Sequence, residues 1–182
     1  LRLQNAGNVR VKTIFYLNRM KTIGLISDTH GYLDERVFDH FKNCDEIWHA
    51  GDVGNKDVLD QLSAIAELKT VFGNIDDNSI RNFNPENQYF EIGIFKILIT
   101  HIAGSPPRYN DRVKKFLAAH KVDILVCGHS HILKVMRDAN HDLLFINPGA
   151  AGIHGFHKMK TIITFEINND KLEQMNVIEL GK

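Results

Sequence analysis

The sequence predicts an α/β fold in a single domain, two packed mixed β-sheets with helices on their outer faces, and three observations predict it. Apolar runs at residues 23–27, 46–50 and 70–72 alternate with helical patterns over 34–42 and 56–66, the rhythm of β-α-β-α-β units. Beyond residue 88 the spacing shortens to that of hairpins, with one further helix. Strand after strand also ends in Asp, Asn or His beside Gly, which gathers chemistry at the carboxyl edge of a sheet.

Residues 23–27 form an unbroken apolar run suited to a buried strand, and it stops at Asp28-Thr29-His30-Gly31. Asp34 is placed to cap a helix whose Val37, Phe38 and Phe41 share one face. The second strand, 46–50, ends at Gly51-Asp52. Val58, Leu59, Leu62, Ile65 and Ala66 then recur at helical spacing, and a third strand at 70–72 ends at Gly73-Asn74. Residues 88–92 and 95–100 pair as strands around Gly93, and 112–120 is helical. The segment 124–127 is a strand that ends at Gly128-His129-Ser130-His131. Strands at 134–137, 143–147, 161–167 and 172–180 follow, linked in pairs by Asn- and Asp-rich turns.

The chain has 182 residues, 43% hydrophobic and 24% charged, enough for one sizeable core. No stretch approaches the ~18 apolar residues of a membrane span, so no membrane partner is expected. Lys plus Arg is 22 and Asp plus Glu is 22. That balance supplies no global field for nucleic acid, and any anion site must be local. Cys44 and Cys127 form no disulfide framework, which points to a reducing, cytoplasmic setting. Residues 1–19 contain Arg2, Arg10, Lys12 and Arg19 but no acid. They are expected to be an extension outside the fold, with the domain spanning 20–182.

Five short elements carry the chemistry: Asp28-Thr29-His30, Gly51-Asp52, Gly73-Asn74-Ile75-Asp76, Thr100-His101 and Gly128-His129-Ser130-His131. Each alone has an ordinary reading, since Gly-Asp marks turns and Gly-Asn marks a positive φ. Together, in order and each just past an apolar strand, they supply carboxylates, imidazoles and one neutral amide oxygen. In an extended backbone, His129 and His131 would point the same way, with Ser130 opposed. Imidazole with carboxylate accepts Mn, Fe, Ni or Zn without choosing among them.

The set resembles the signature D-x-H, G-D, G-N-x-D, H, G-H-x-H of the calcineurin-like metallophosphoesterase superfamily. It is most similar to the compact phosphodiesterase branch, which also includes the retromer subunit Vps29. The resemblance runs from Met20 to about Leu180 and takes in Asn147-Pro148-Gly149-Ala150. It implies two divalent metal ions, manganese foremost, and hydrolysis of a small phosphodiester by a metal-activated hydroxide. Asp28, His30, Asp52 and His131 match the ligands of one ion. Asp52, Asn74, His101 and His129 match those of the other, with Asp52 bridging. Asp52, Asn74 and His129 are the residues expected to serve catalysis itself. Two ions bring four positive charges and Asp28, Asp52 and hydroxide return three, a surplus of about one that draws a phosphate oxygen. A non-catalytic Vps29-like scaffold and a phosphomonoesterase are the alternative readings, and self-association is left open.

The chain also departs from that pattern. Many relatives carry His after the motif Asn, where this chain has Ile75. Many read Thr-His-Gly-His, where this chain has Thr100-His101-Ile102-Ala103. No general acid is therefore assigned. His154 and His157, in a Gly-rich loop after the Asn-Pro-Gly turn, are the candidates to orient substrate. His49 is either a neighbour of the site or a core histidine. His40, His120 and His141 read as exposed, Arg81 and Arg108 as phosphate clamps or solvated loop charges. Asp76 reads as a loop-closing acceptor, Cys127 as a buried thiol and Trp48 as packing.

Overall fold

The computed structural model describes residues 20–182. The expectation for residues 1–19 lies outside them. The element order is β1 (Lys21–Ile26), α1 (Arg36–Phe41), β2 (Glu46–His49), α2 (Lys56–Ser63), β3 (Glu67–Thr70) and α3 (Asn78–Arg81), followed by β4 (Asn87–Ile92) and β5 (Phe95–Thr100). Then come β6 (Gly104–Ser105), β7 (Arg108–Tyr109), α4 (Asp111–Ala119), β8 (Ile124–Val126), β9 (Leu133–Asp138), β10 (Leu143–Pro148), β11 (Thr161–Asn168) and β12 (Lys171–Glu179).

Two mixed sheets of five strands face each other, in the orders β12-β11-β1-β2-β3 and β4-β5-β8-β10-β9. In the first, β1, β2 and β3 run parallel and β11 pairs antiparallel to β1. In the second, β5, β8 and β10 run parallel while β4 and β9 flank them antiparallel. Alternate residues of each strand enter the gap: Ile23, Leu25 and Trp48 from one side meet Ile97, Ile124 and Ile146 from the other. The opposite faces pack on helices. Ile26, Ile47 and Ile162 sit under Val37, Phe41, Val58 and Leu62 of α1 and α2, while Leu98, Leu125 and Phe145 sit under Val113 of α4. The expected two-sheet sandwich with outer helices is what forms.

Three local expectations are corrected. Asp34 is not the N-cap of α1. Glu35 holds that place without a side-chain cap bond, and Asp34 turns its carboxylate to Arg36 and to the buried Lys160 Nζ at 2.9 Å. Those two cations hold Asp34 well below the usual carboxylate range, Arg36 contributing most. The second helix ends at Ser63, although Ile65 and Ala66 still pack beneath it. The third strand is Glu67–Thr70 rather than 70–72. It is a sheet edge whose Lys69 faces Glu46, so its alternation is partly ionic. Trp48 packs as expected, its indole donating to Glu46 and its ring edge-on to Phe90 and Phe165.

Candidate metal centre

The parallel ladders continue past the strand ends and set the first two motifs side by side. Asp28 N donates to Gly51 O and His30 N to Asp52 O, both at 3.0 Å. In the second sheet Gly128 N donates to His101 O at 3.0 Å. Five of the seven candidate ligands sit at positive φ: Asp28 (54°), His30 (48°), Asp52 (54°), His129 (68°) and His131 (57°). Among the described residues only three other non-glycine positions do so. Left-handed backbone costs these residues on the order of 1 kcal/mol each and persists where the surroundings enforce it, typically at functional sites. The extended His129-Ser130-His131 segment expected from sequence is therefore not what forms. Both histidines are left-handed, and their rings serve different groups.

Asp28, His30 and His131 form one group of donor atoms, and Asp52, His101 and His129 a second; within each, the atoms lie within 4.8 Å of one another. In the first, His131 Nε2 is 3.3 Å from Asp28 Oδ1 and 3.3 Å from His30 Nε2. In the second, His101 Nε2 is 3.2 Å from Asp52 Oδ1 and 3.1 Å from Asn74 Oδ1. Asp52 faces both, since its Oδ2 lies 3.8 Å from His30 Nε2. Gly73 allows this approach: a Cβ there would sit 2.0 Å from Asp52 Oδ1.

The donor set fits divalent first-row ions. His101 Nδ1 donates to Ala50 O at 2.8 Å, so in the neutral ring the Nε2 lone pair faces two acceptor oxygens. His30 and His131 likewise turn ring nitrogens toward each other. A cation resolves both contacts. The same crowding shifts the titrations. The Asp28 carboxylate raises His131. Burial opposes protonation of His101, but Asp52 prevails and raises it. Burial lowers His30.

The surrounding bonds fix this arrangement. Asp76 accepts from Gly73 N at 2.7 Å and Gly54 N at 2.8 Å, closing two loops as its sequence position suggested. Arg81 is exposed and borders the same cavity as Asn74 and His101. Its guanidinium donates to the carbonyls of Gly73, Asn74 and Asp76 and lies over the Phe72 ring, so it clamps the Asn74 loop. Its place six residues beyond the loop's Ile75 carried no signal of that. Arg108 is exposed on β7. His40 is exposed, His120 stacks on Phe116, and His141 bonds Asp138. Cys127 is a buried thiol that burial pushes up to about 12.

His49 is fully buried and binds the first two motif loops together. Its Nδ1 accepts from Gly51 N at 3.1 Å and its Nε2 donates to Thr29 Oγ1 at 2.9 Å, which in turn donates to Val53 O. Burial lowers it to about 4. The folded chain thus refuses a proton that the unfolded chain binds below its ordinary 6.5. Stability from neutral His49 is complete above about 6.5 and falls as pH drops toward about 4, by on the order of 3 kcal/mol. His101 and His131, being raised, titrate in the opposite sense, so the expected result is a difference. In chelator, His49→Gln should be less stable than wild type at pH 7.5 and should lose less of its stability by pH 4.5. Urea midpoints at both pH values check this; parallel losses would contradict it.

His157 Nε2 donates to Gly152 O at 2.9 Å, leaving its Nδ1 a buried acceptor without a partner among the described residues. A Cβ on Gly155 would sit 2.2 Å from His131 Nδ1 and 3.2 Å from His157 Nδ1, so both nitrogens border one space. A ligand histidine presenting Nε2 carries its proton on Nδ1 and needs an acceptor there. His157→Ala should weaken Mn²⁺ binding at the first group about 10–100-fold, measured by equilibrium dialysis. His120→Ala should leave it unchanged, and an unaltered affinity in His157→Ala would remove this role. His154 lies 5.9 Å from His30, ring to ring, at the open side of the same group.

A site of this make-up, at the carboxyl ends of the strands of two facing sheets, is of the class suited to metal-dependent phosphoester hydrolysis. Residues 20–170 match the calcineurin-like phosphoesterase superfamily domain, and the chain belongs to that superfamily. It is 37% identical over 168 residues to a probable metallophosphoesterase of Methanocaldococcus jannaschii, covering 88% of this chain and 83% of that one. A probable metallophosphoesterase of Methanothermobacter thermautotrophicus is 30% identical over 160 residues, 83% and 88% of the two chains. The fold is similar to that of Vps29 from Entamoeba histolytica, solved in complex with zinc, with a TM-score of 0.69 and 22% identity over 87% of this chain and 98% of that one. Among the described residues no helix is long and apolar enough to cross a membrane.

Proposed function

We propose that the chain is a phosphodiesterase working with two divalent ions, manganese foremost, on a small phosphodiester. The observation that carries this reading is Asp52, whose two oxygens face two separate donor groups. Asp28, His30, Asp52 and His131 would hold one ion; Asp52, Asn74, His101 and His129 would hold the other. When bound, such a pair supplies Lewis acidity and lowers the pKa of water toward neutrality. The protein's own part is positional. Ile75 N donates to Asp52 Oδ1 at 3.0 Å, His129 N donates to Asp28 at 3.1 Å, and Arg81 secures the Asn74 loop. Asn74, being neutral, leaves positive charge to draw the phosphate.

The scaffold reading stands on the likeness to Vps29, and the zinc in that structure means that ion binding alone does not separate the two. Turnover does. Protein stripped of metal and reloaded with Mn²⁺ should hydrolyse bis(para-nitrophenyl) phosphate faster than para-nitrophenyl phosphate, and chelator should abolish both. Preference for the monoester would favour a phosphomonoesterase. Two bound ions without turnover of either would favour the scaffold.

A further inference from the structure

The two sides of the metal centre differ in chemistry. Beyond Asn74 and His101 lies a small cavity of about 170 Å³ bordered by Arg81, Glu86 and Arg112. Beyond His129 and His131 lies one of about 460 Å³ bordered by Ile132, Phe156 and His157. The second is built of π-faces and apolar surface, and its placement is forced by the chain. Ile132 directly follows His131, and its side chain is 65% exposed. Gly155, at φ 123°, lets the following loop lie on the His131 ring, where any Cβ would collide with Nδ1. The next residue, Phe156, is thereby delivered to the mouth, fully exposed. A bare phenyl ring next to an ion-binding group leaves apolar area in water that a bound ring would remove.

We infer that Ile132 and Phe156 form the subsite for a flat aromatic substituent, aryl or nucleobase, on the phosphoester. The inference rests on the phosphoesterase reading, which fixes the phosphate at the donor groups. The continuity of the wall with His129 and His131 then sets where a directly attached ring lands. Three imidazoles and one phenyl line the space, and such faces stack on a planar ring better than they enclose an aliphatic chain. Stacking on one aromatic side chain changes affinity by roughly tenfold.

The test uses Mn²⁺-loaded full chain and calorimetric affinities for methyl phosphate, phenyl phosphate and adenosine monophosphate. Wild type should bind phenyl phosphate about tenfold tighter than methyl phosphate. Phe156→Ala should erase most of that ratio and Phe156→Trp should keep it. Adenosine monophosphate binding tighter than phenyl phosphate would identify the ring as a nucleobase; the reverse would identify it as aryl. Equal affinity for methyl and phenyl phosphate in wild type would overturn the subsite while leaving the phosphoesterase reading intact. Failure to bind either methyl or phenyl phosphate would overturn both. A concentration-dependent dimer abolished in Phe156→Ala, without ring selectivity, would assign the wall to a second copy of the chain and overturn the inference.

Discussion

Asp52→Asn is expected to lower kcat/KM on an aryl phosphodiester by at least about a thousandfold, near 4 kcal/mol of transition-state stabilisation, with the fold intact. The asymmetry follows from what the side chain does in each state. For the fold, Asp52 accepts one backbone bond, from Ile75 N at 3.0 Å, and an amide oxygen accepts it equally well. Burial pushes the carboxyl up, yet His101 holds Asp52 below its ordinary range, so it stands ionised among imidazoles. For the ions, it is the only described carboxylate that faces both donor groups. On the proposed two-ion reading, the substitution would remove one negative charge from between two cations and one of the two oxygens' donor capacity. Replacing a single histidine disturbs one group alone, so the loss should exceed that of His129→Ala. Ion content by mass spectrometry, turnover and thermal unfolding together decide it. Two retained ions with a rate within tenfold of wild type would dismantle the dinuclear reading.

What the sequence made legible was periodic or chemically marked. The strands of 23–27, 95–100 and 161–167 stood out because continuous or alternating apolar residues encode burial on two faces or one. Each of the seven candidate ligands stood at a strand end, and the structure brings all seven to one edge. Backbone sign was not legible. Nothing in Asp28, His30, Asp52, His129 or His131 announces positive φ, because that conformation is imposed by the ladder and loops around them rather than by the residue. The reading of His129-Ser130-His131 as extended failed for that reason, although the grouping of the two rings with different partners agrees with the family pattern. The pair β6 and β7 and the four-residue α3 were invisible because they are shorter than any period. Asp34 looked like a cap because local sequence shows Arg36 but not Lys160, 126 residues away. Arg81 was underestimated in the same way: its three acceptors are main-chain carbonyls, which carry no residue identity at all.

Sensitivity to the leaving group turns on two positions. Ile75 is partly exposed beside Asn74, and Ala103 is buried at 1% against the α4 layer. Neither can donate a proton, and position 103 has no room for an imidazole. Hydrolysis places the water oxygen on phosphorus, breaks the ester P–O bond and leaves an oxyanion that needs a proton unless it is a weak base. General-acid help is worth ~10²–10⁴ in rate, so its absence should show as a steep dependence on leaving-group pKa. The series should consist of methyl aryl phosphodiesters differing only in ring substituents, so that contacts to Ile132 and Phe156 stay constant while basicity varies. Rates should fall steadily from nitrophenyl to unsubstituted phenyl. An alkyl leaving group should be slower by a further hundredfold or more. Ile75→His, whose side chain borders the Asn74 side, should flatten the slope if its ring meets the departing oxygen. A flat wild-type dependence, with chemistry shown to limit the rate, would mean that a donor is already present. His154, 5.9 Å from His30 on the open side, would then be identified by His154→Ala restoring the steep slope.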